Sequence, residues 1–153
     1  MPSDAFTTTR PAARASVRVP LDRSSAFRLF TEQIGAWWRR GERFWHDPSR
    51  GVSHRIEPRV GGRLLEVYDD GEWELGTVLL WEPPTRLAFS WRQSNWEPHE
   101  TTTVEVRFVP DGDGTRVDLA HTGWEGVQSQ VGCELGYEKG WVMLLGWFAD
   151  AAG

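Results

Sequence analysis

Two side chains have the chemistry and the spacing of an acid–base site. His121 ends an alternating run with Val117 and Leu119, and this period of two places all three on one face of a strand. Imidazole titrates near neutral pH, so an inward-facing His could act as a general base or hydrogen-bond a ligand. The alternative is a buried His that bonds the backbone or a carboxylate and has only a structural role.

Glu66 is the second candidate because it alternates with Leu64. If Leu64 faces inward, so does Glu66, and a buried carboxylate then needs a partner such as His121 or Arg92. The neighbouring Leu65 leaves the register open, and in the other register Glu66 is solvated. We therefore name His121 and Glu66 as candidate catalytic residues and assign no reaction to them.

The tryptophans are the second unusual feature, since there are 10 of them against 7 Phe and 2 Tyr. A buried indole N–H needs an acceptor, which makes Trp a demanding residue for merely filling a core. One interpretation is therefore a flat-walled pocket for an aromatic molecule, and the other is a packed core. The residues that we predict to bind a ligand are Trp38, Glu66, Tyr68, Trp73, Trp91, His121, Tyr137 and Trp141.

The elements that must position these residues begin with a strand and helical segments. Residues 15–19 alternate as a strand, and Asp22 follows as a helix N-cap. Residues 24–38 have helical spacing that Gly35 is expected to break. The sequence thus predicts two short helices after the first strand.

The middle of the chain is predicted to be a run of antiparallel strands. Asp69-Asp70-Gly71 is a strong hairpin signal between two of them. From Trp73 to Trp81, alternate residues are expected to share one face of a long strand. Sequential hairpins of this kind form a curved sheet whose inner face needs a cover.

A long C-terminal helix is the predicted cover. The expected stripe of this helix is Val131, Leu135, Glu138, Val142, Leu145 and Ala149, and it is flanked by Tyr137, Trp141, Leu144 and Phe148. Its glycines, Gly132, Gly136, Gly140 and Gly146, suggest close approach of a sheet or of a bound molecule. The fold class is therefore α+β, with about seven strands curved around this helix, a layout that tends to enclose a space.

Length and composition exclude several function classes. We expect one domain over residues 13–153 after a flexible tail over residues 1–12. A single Cys, at 133, and no paired spacing of the four His leave no metal site or cofactor to predict. The net charge of −5 without a dense basic run argues against nucleic acid as a partner. No signal segment or membrane span is evident, so we expect a cytoplasmic protein, a monomer or homodimer, without membrane insertion.

The motifs of the chain also resemble those of a known family. They are Ile56-Glu57-Pro58-Arg59-Val60-Gly61-Gly62-Arg63, Gly76-Thr77-Val78, Trp81-Glu82-Pro83-Pro84, Gly114-Thr115-Arg116-Val117 and His121-Thr122-Gly123-Trp124. They are similar to one branch of the START and birch-pollen-allergen superfamily, which includes polyketide cyclases. That branch is named after the activator of the ninety-kilodalton heat-shock protein ATPase. The resemblance covers about residues 13–150 and implies a helix-grip fold with a hydrophobic ligand cavity between sheet and helix.

Three functions remain open at this point. The first is binding of a small hydrophobic or aromatic molecule in an internal cavity, without catalysis. The second is a cyclase or hydrolase type of enzyme that uses His121 and Glu66 as its acid–base pair. The third is a protein-interaction module, by analogy with the chaperone activator. Polar groups that converge inside the fold would favour the enzyme, and an exposed apolar patch would favour the module.

Overall fold

One antiparallel sheet curls around the C-terminal helix in the computed structural model, which describes residues 12–39, 51–93, 96–128 and 134–153. The strands are Ala13–Val19 (β1), Gly51–Ile56 (β2), Arg63–Tyr68 (β3), Gly71–Glu82 (β4), Arg86–Trp91 (β5), Thr102–Asp111 (β6) and Gly114–Thr122 (β7). The α-helices are Arg23–Phe30 (α1), Ile34–Trp37 (α2) and Glu134–Ala152 (α3). The 7-stranded sheet has the order β1-β7-β6-β5-β4-β3-β2. The predicted fold class is confirmed.

Some sequence predictions fall on parts of the chain that lie outside the described residues. They are residues 1–11 of the predicted tail and positions 131–133 of the predicted helical segment. The loop that precedes β2, with Trp45 and His46, also lies outside them.

Strands β5, β6 and β7 follow the predicted alternation and form the floor of the core. Their inward side chains are at most 2% exposed, and they are Leu87, Phe89, Trp91, Val104, Val106, Phe108, Val117, Leu119 and His121. Phe89 lies opposite Val104, and Val104 lies opposite His121, so the inward rows of the three strands are in register. The period of two therefore fixes the orientation of His121.

Strand β4 departs from the predicted alternation. Leu79 is 49% exposed, whereas the adjacent Val78 is 1% exposed. The pairing with β5 shifts between Val78 and Leu80, so Leu79 is the extra residue of a β-bulge. Because a bulge changes which side the alternate residues face, the single shared face expected from Trp73 to Trp81 is wrong at Leu79.

The two short helices form as predicted, but Gly35 is not what separates them. Asp22 caps α1, since its carboxylate accepts a backbone N–H at 2.9 Å. Helix α1 ends at Phe30, well before Gly35. At that end the Thr31 hydroxyl donates to the Phe27 carbonyl at 2.7 Å. Gly35 lies inside α2, where a Cβ would come within 2.3 Å of Ser53 Oγ. Its role is close contact with β2, so the expectation of a helix break there is wrong.

Leu145 of the predicted α3 stripe is buried, but the buried face of the helix centres on the residues expected to flank that stripe. Among residues 136–153, the large buried side chains are Tyr137, Trp141, Leu144, Leu145, Trp147 and Phe148. Val142 is 58% exposed, and Glu138 is exposed and accepts the backbone N–H of Arg14 at 3.0 Å. Burial of the aromatic rings removes more apolar surface from water than burial of the predicted stripe would. A Cβ at Gly136 or Gly146 would meet nothing within 4 Å, so the expected close approach is absent at both.

Helices α1 and α2 and part of α3 enclose a purely apolar region, which we call the apolar half. It consists of Phe27, Phe30, Trp37, Phe108 and Phe148. Phe30 is its centre, with ring centroids 5.0 Å from Trp37, 5.9 Å from Phe108 and 5.4 Å from Phe148. The remaining interior contains the polar candidates.

Candidate functional site

His121 is part of a series of hydrogen bonds that begins at Trp141 and ends on a backbone carbonyl. Trp141 Nε1 donates to His121 Nδ1 at 3.0 Å, and His121 Nε2 lies 2.6 Å from Thr102 Oγ1. Because Nδ1 accepts, the neutral ring carries its proton on Nε2 and donates to Thr102. The Thr102 hydroxyl then donates to the Trp91 carbonyl at 3.2 Å. The chain thus ends on the backbone, with each side-chain donor matched to an acceptor.

Burial decides the protonation state of His121. The residue is 0% exposed, and burial lowers the pKa of its imidazole from 6.5 to about 3. At neutral pH the ring is therefore uncharged, with both nitrogens engaged by Thr102 and Trp141. A catalytic role for His121 stays a prediction. It requires the hydrogen bonds of the ring to Thr102 and Trp141 to break.

The surroundings of His121 form a continuous aromatic wall, which we call the His121 cluster. Its members are Trp91, Thr102, His121, Trp124, Tyr137 and Trp141. Tyr137 Oη accepts from Trp91 Nε1 at 3.1 Å and donates to Gln93 Oε1 at 2.8 Å. Trp124 Nε1 donates to the His121 carbonyl at 2.8 Å. The indole and phenol donors of this wall therefore all have acceptors, and the wall contains the predicted ligand residues Trp91, His121, Tyr137 and Trp141.

Glu66 lies in a second group, across the sheet from His121. It is 0% exposed and shares the inward face of β3 with Leu64 and Tyr68, both members of the hydrophobic core. This settles the register that the sequence left open. The Tyr68 hydroxyl donates to Glu66 Oε1. The predicted ligand residues Glu66 and Tyr68 are thus in direct contact.

The direct partners expected for Glu66 are not formed. Strands β4, β5 and β6 separate β3 from β7, and the nitrogens of His121 are engaged elsewhere. The guanidinium of Arg92 lies over the Trp73 ring, with Cζ 5.8 Å from its centroid, and makes no ion pair with Glu66. The expected Glu66–His121 and Glu66–Arg92 pairs are therefore corrected by the structure.

His54 is an interior residue that the sequence reasoning missed. It lies directly opposite Glu66 on the neighbouring strand β2 and is 4% exposed. Burial lowers the pKa of its imidazole to about 3. The signal was present, since His54 alternates with the buried Ile56, but the strand is only 6 residues long. Two titratable side chains thus face the interior side by side.

Two tryptophans complete this group, which we call the Glu66 cluster: Trp38, His54, Glu66, Tyr68 and Trp73. The Trp38 ring stacks on His54 at 4.0 Å and runs nearly parallel to Trp91 at 6.2 Å, so it joins the two clusters. Trp73 lies opposite Glu66 in the β3–β4 pairing and is partly buried against the core.

The surface of the described part of the chain carries grooves that are separate from both clusters. Four of them have volumes of about 510, 480, 440 and 330 Å³, and none is lined by a predicted ligand-binding residue. The enclosed cavity expected from the sequence stays a prediction. Among the described residues, no group of three or more His, Cys, Asp or Glu side chains could hold a metal ion. None of the described helices is both long and apolar enough to cross a membrane.

Comparison with known proteins points to one family. The family model described as activator of Hsp90 ATPase homolog 1-like protein matches residues 21–152. No curated protein matches the sequence. The chain is also similar to many solved structures of this fold.

Three solved structures show the range of these similarities. Protein MLL2253 from Mesorhizobium loti has a TM-score of 0.68 and 17% identity, with 92% of this chain and 95% of that chain covered. The Aha1 dimer from Colwellia psychrerythraea has a TM-score of 0.67 and 13% identity, with coverages of 94% and 96%. The anthrahydroquino-γ-pyrone synthase Txn09 has a TM-score of 0.60 and 31% identity, with coverages of 93% and 97%. The first two support the fold alone.

Proposed function

The chain belongs to the activator of Hsp90 ATPase homolog 1-like family, and we propose that this member binds a small aromatic molecule at the Glu66 cluster. The observation that carries the proposal is a wholly buried carboxyl group among aromatic rings. Glu66 is hydrogen-bonded by Tyr68 and faces His54 across the strand pair. A carboxyl group is expensive to bury, and such groups concentrate where a protein binds or transforms a ligand.

The donors and acceptors of the interior favour the Glu66 cluster over the His121 cluster. Around His121, the indole and imidazole groups are already matched to one another. At Trp38, by contrast, the buried Nε1 donor has no acceptor among the described residues. A buried donor in that state costs about 1–3 kcal/mol. A bound molecule with a carbonyl or hydroxyl oxygen would supply the missing acceptor.

The relatives support an aromatic ligand of polycyclic size. The synthase Txn09 is 31% identical over 97% of its length, and its name refers to an anthrahydroquinone joined to a pyrone. Flat rings of this kind would stack on Trp38 and Trp73, and each aromatic pair contributes about 0.5–1.5 kcal/mol beyond area burial. Planar, oxygen-bearing polycyclic compounds are therefore the first ones to test.

The test is a fluorescence titration of the intact chain with a panel of hydroxyanthraquinones and hydroxynaphthyl ketones. We expect saturable quenching of Trp emission by at least one compound. Glu66→Gln should weaken that binding about tenfold, because an amide replaces the carboxyl group that hydrogen-bonds the ligand. Glu138→Gln makes the same chemical change on the exposed face of α3 and should leave the affinity unchanged. Absence of quenching by every compound, or full affinity in Glu66→Gln, would contradict the proposal.

A cyclase-type enzyme is the second candidate, and the His54–Glu66 juxtaposition favours it. The two side chains lie opposite each other in the β2–β3 pairing. In a dehydrative ring closure, such a pair would take a proton from the attacking group of the substrate and return it to a departing hydroxyl, which leaves as water. Mass spectrometry of a bound compound would reveal the loss of one water. If His121→Ala retains full turnover, His121 is excluded from the reaction.

A further inference from the structure

We infer that Arg92 recognises an acidic group on the bound aromatic molecule, so that the preferred ligand is an aromatic carboxylate. The inference rests on the proposed function, since it names the class of molecule that the Glu66 cluster takes. Arg92 follows the buried Trp91 at the end of β5 and is itself half-buried. Its guanidinium lies over Trp73, the residue opposite Glu66. Arg92 thus stands at the rim of the cluster, one aromatic ring away from Glu66.

Arg92 makes a cation–π contact but forms no ion pair with a described carboxylate. Most described arginines form ion pairs within 4.0 Å, and they are Arg18, Arg39, Arg55, Arg59, Arg63, Arg86, Arg107 and Arg116. Arg92 has no carboxylate within that distance among the described residues, although Glu74 lines the same groove. Its contact with an aromatic face leaves the guanidinium N–H groups to bind an anion.

Arg92 also lines a groove at the surface of the protein. The groove has a volume of about 440 Å³, and its lining includes Thr77, Ser90, His99 and Thr101. Ser90 alternates with the inward Phe89 and Trp91, so its hydroxyl, which accepts the Thr77 backbone N–H at 2.9 Å, faces this groove and not the Glu66 cluster. Arg92 contacts Trp73 and also lines the groove, so it supplies the guanidinium donors that a carboxylate prefers at the rim of the cluster.

The two parts of the site together define the ligand class. The Nε1–H donor of Trp38 suits a carbonyl or hydroxyl oxygen on an aromatic body, and the carboxyl of Glu66 suits a hydroxyl group on it. Arg92 suits a carboxylate at the end of that body which reaches the rim. A planar aromatic acid with its carboxylate at one end would satisfy both.

The test compares anthraquinone-2-carboxylate with anthraquinone-2-carboxamide, which have the same size but differ in charge. We expect the intact protein to bind the carboxylate about tenfold more tightly than the amide, as a charge-assisted bond provides. Arg92→Gln should reduce that ratio to about one and leave the affinity for the amide unchanged. Arg92→Lys should retain part of the preference, because it keeps the charge but loses the planar fork.

Arg23→Gln is the matched control. Arg23 is half-buried at the start of α1, and it likewise forms no ion pair with a described carboxylate, so its loss should leave the ratio unchanged. Equal affinity of the intact protein for the two compounds, or an unchanged ratio in Arg92→Gln, overturns the inference and leaves the proposed function standing. Failure of both compounds to bind overturns the inference together with the proposed ligand class. Thermal unfolding of each variant shows whether the fold is retained.

Discussion

Two buried histidines of the described residues, His54 and His121, stand in clusters that differ in how their polar groups are arranged. Around His121, Trp141 donates to one ring nitrogen and Thr102 pairs with the other, and the chain ends on a backbone carbonyl. Around His54, a second ionisable side chain, Glu66, occupies the opposite position on the next strand. Burial is the cause of the lowered pKa in both histidines. Equal burial therefore does not imply an equal role.

We interpret the His121 cluster as part of the structural framework and the Glu66 cluster as the candidate binding site. In the His121 cluster the donors of the aromatic wall are matched, which rigidifies the strands that the wall joins. In the Glu66 cluster a carboxyl, an imidazole and the unmatched Trp38 donor lie together among flat rings. The predictions below test whether the two clusters differ in this way.

The largest expected effect is on the pH dependence of stability. The pKa of His54 and of His121 falls from 6.5 to about 3 on folding, so the unfolded chain binds more protons between these values. Stability is therefore highest above about pH 6.5 and is lost as the pH falls toward 3. Two such histidines should make the free energy of unfolding about 4 kcal/mol lower at pH 5 than at pH 7. Urea unfolding at both pH values measures this difference.

A His54→Gln variant shows how much of the pH dependence of stability comes from each of the two clusters. It removes one of the two titrating groups, so the loss between pH 7 and pH 5 should fall to about 2 kcal/mol. Glu57, whose pKa is lowered to about 2 by its bonds to Arg63, titrates below this window and does not interfere. The same pH dependence in His54→Gln as in the intact chain would show that His54 is not buried and neutral in the folded protein.

A smaller effect is expected from Thr102→Val. This substitution removes the hydroxyl group that hydrogen-bonds His121 but keeps the shape of the side chain at position 102. The substitution leaves the His121 Nε2 proton and the Trp91 carbonyl without the hydroxyl that joins them. We expect a loss of about 2 kcal/mol in the free energy of unfolding, with ligand affinity unchanged. Thr103→Val alters the neighbouring, half-exposed position and should have little effect. If Thr102→Val abolished binding at full stability, the His121 cluster would be the site instead.

Much of the fold could be predicted because its inward rows are regular. The pairing of β5 with β6 and of β6 with β7 has no register shift, and the alternation of β7 placed His121 inside. At Leu79 the prediction failed because a bulge has no distinct sequence pattern. On α3, Val142 of the predicted stripe is exposed, whereas Leu145 and the flanking Tyr137 and Trp141 are buried.

The site was harder to predict because it depends on which strands are neighbours. Glu66 could face either way, since Leu64 and Leu65 are both buried and the sequence offers no distinction between them. His54 lies opposite Glu66 only because of the register in which β2 pairs with β3. That register depends on the turn that connects the two strands. The sequence instead suggested His121 as the partner of Glu66. An imidazole can pair with a carboxyl group, but His121 lies on β7, four strands away from β3 in the sheet.

The central claim is that ligand binds at the Glu66 cluster and leaves the His121 cluster intact. The most direct measurement is the set of indole N–H signals in a ¹H–¹⁵N spectrum, assigned by single Trp→Phe variants and followed during titration with anthraquinone-2-carboxylate. We predict the largest shifts at Trp38 and Trp73, and small shifts at Trp124 and Trp141. Largest shifts at Trp124 and Trp141, or no shift at Trp38 when the compound is bound, would contradict the account.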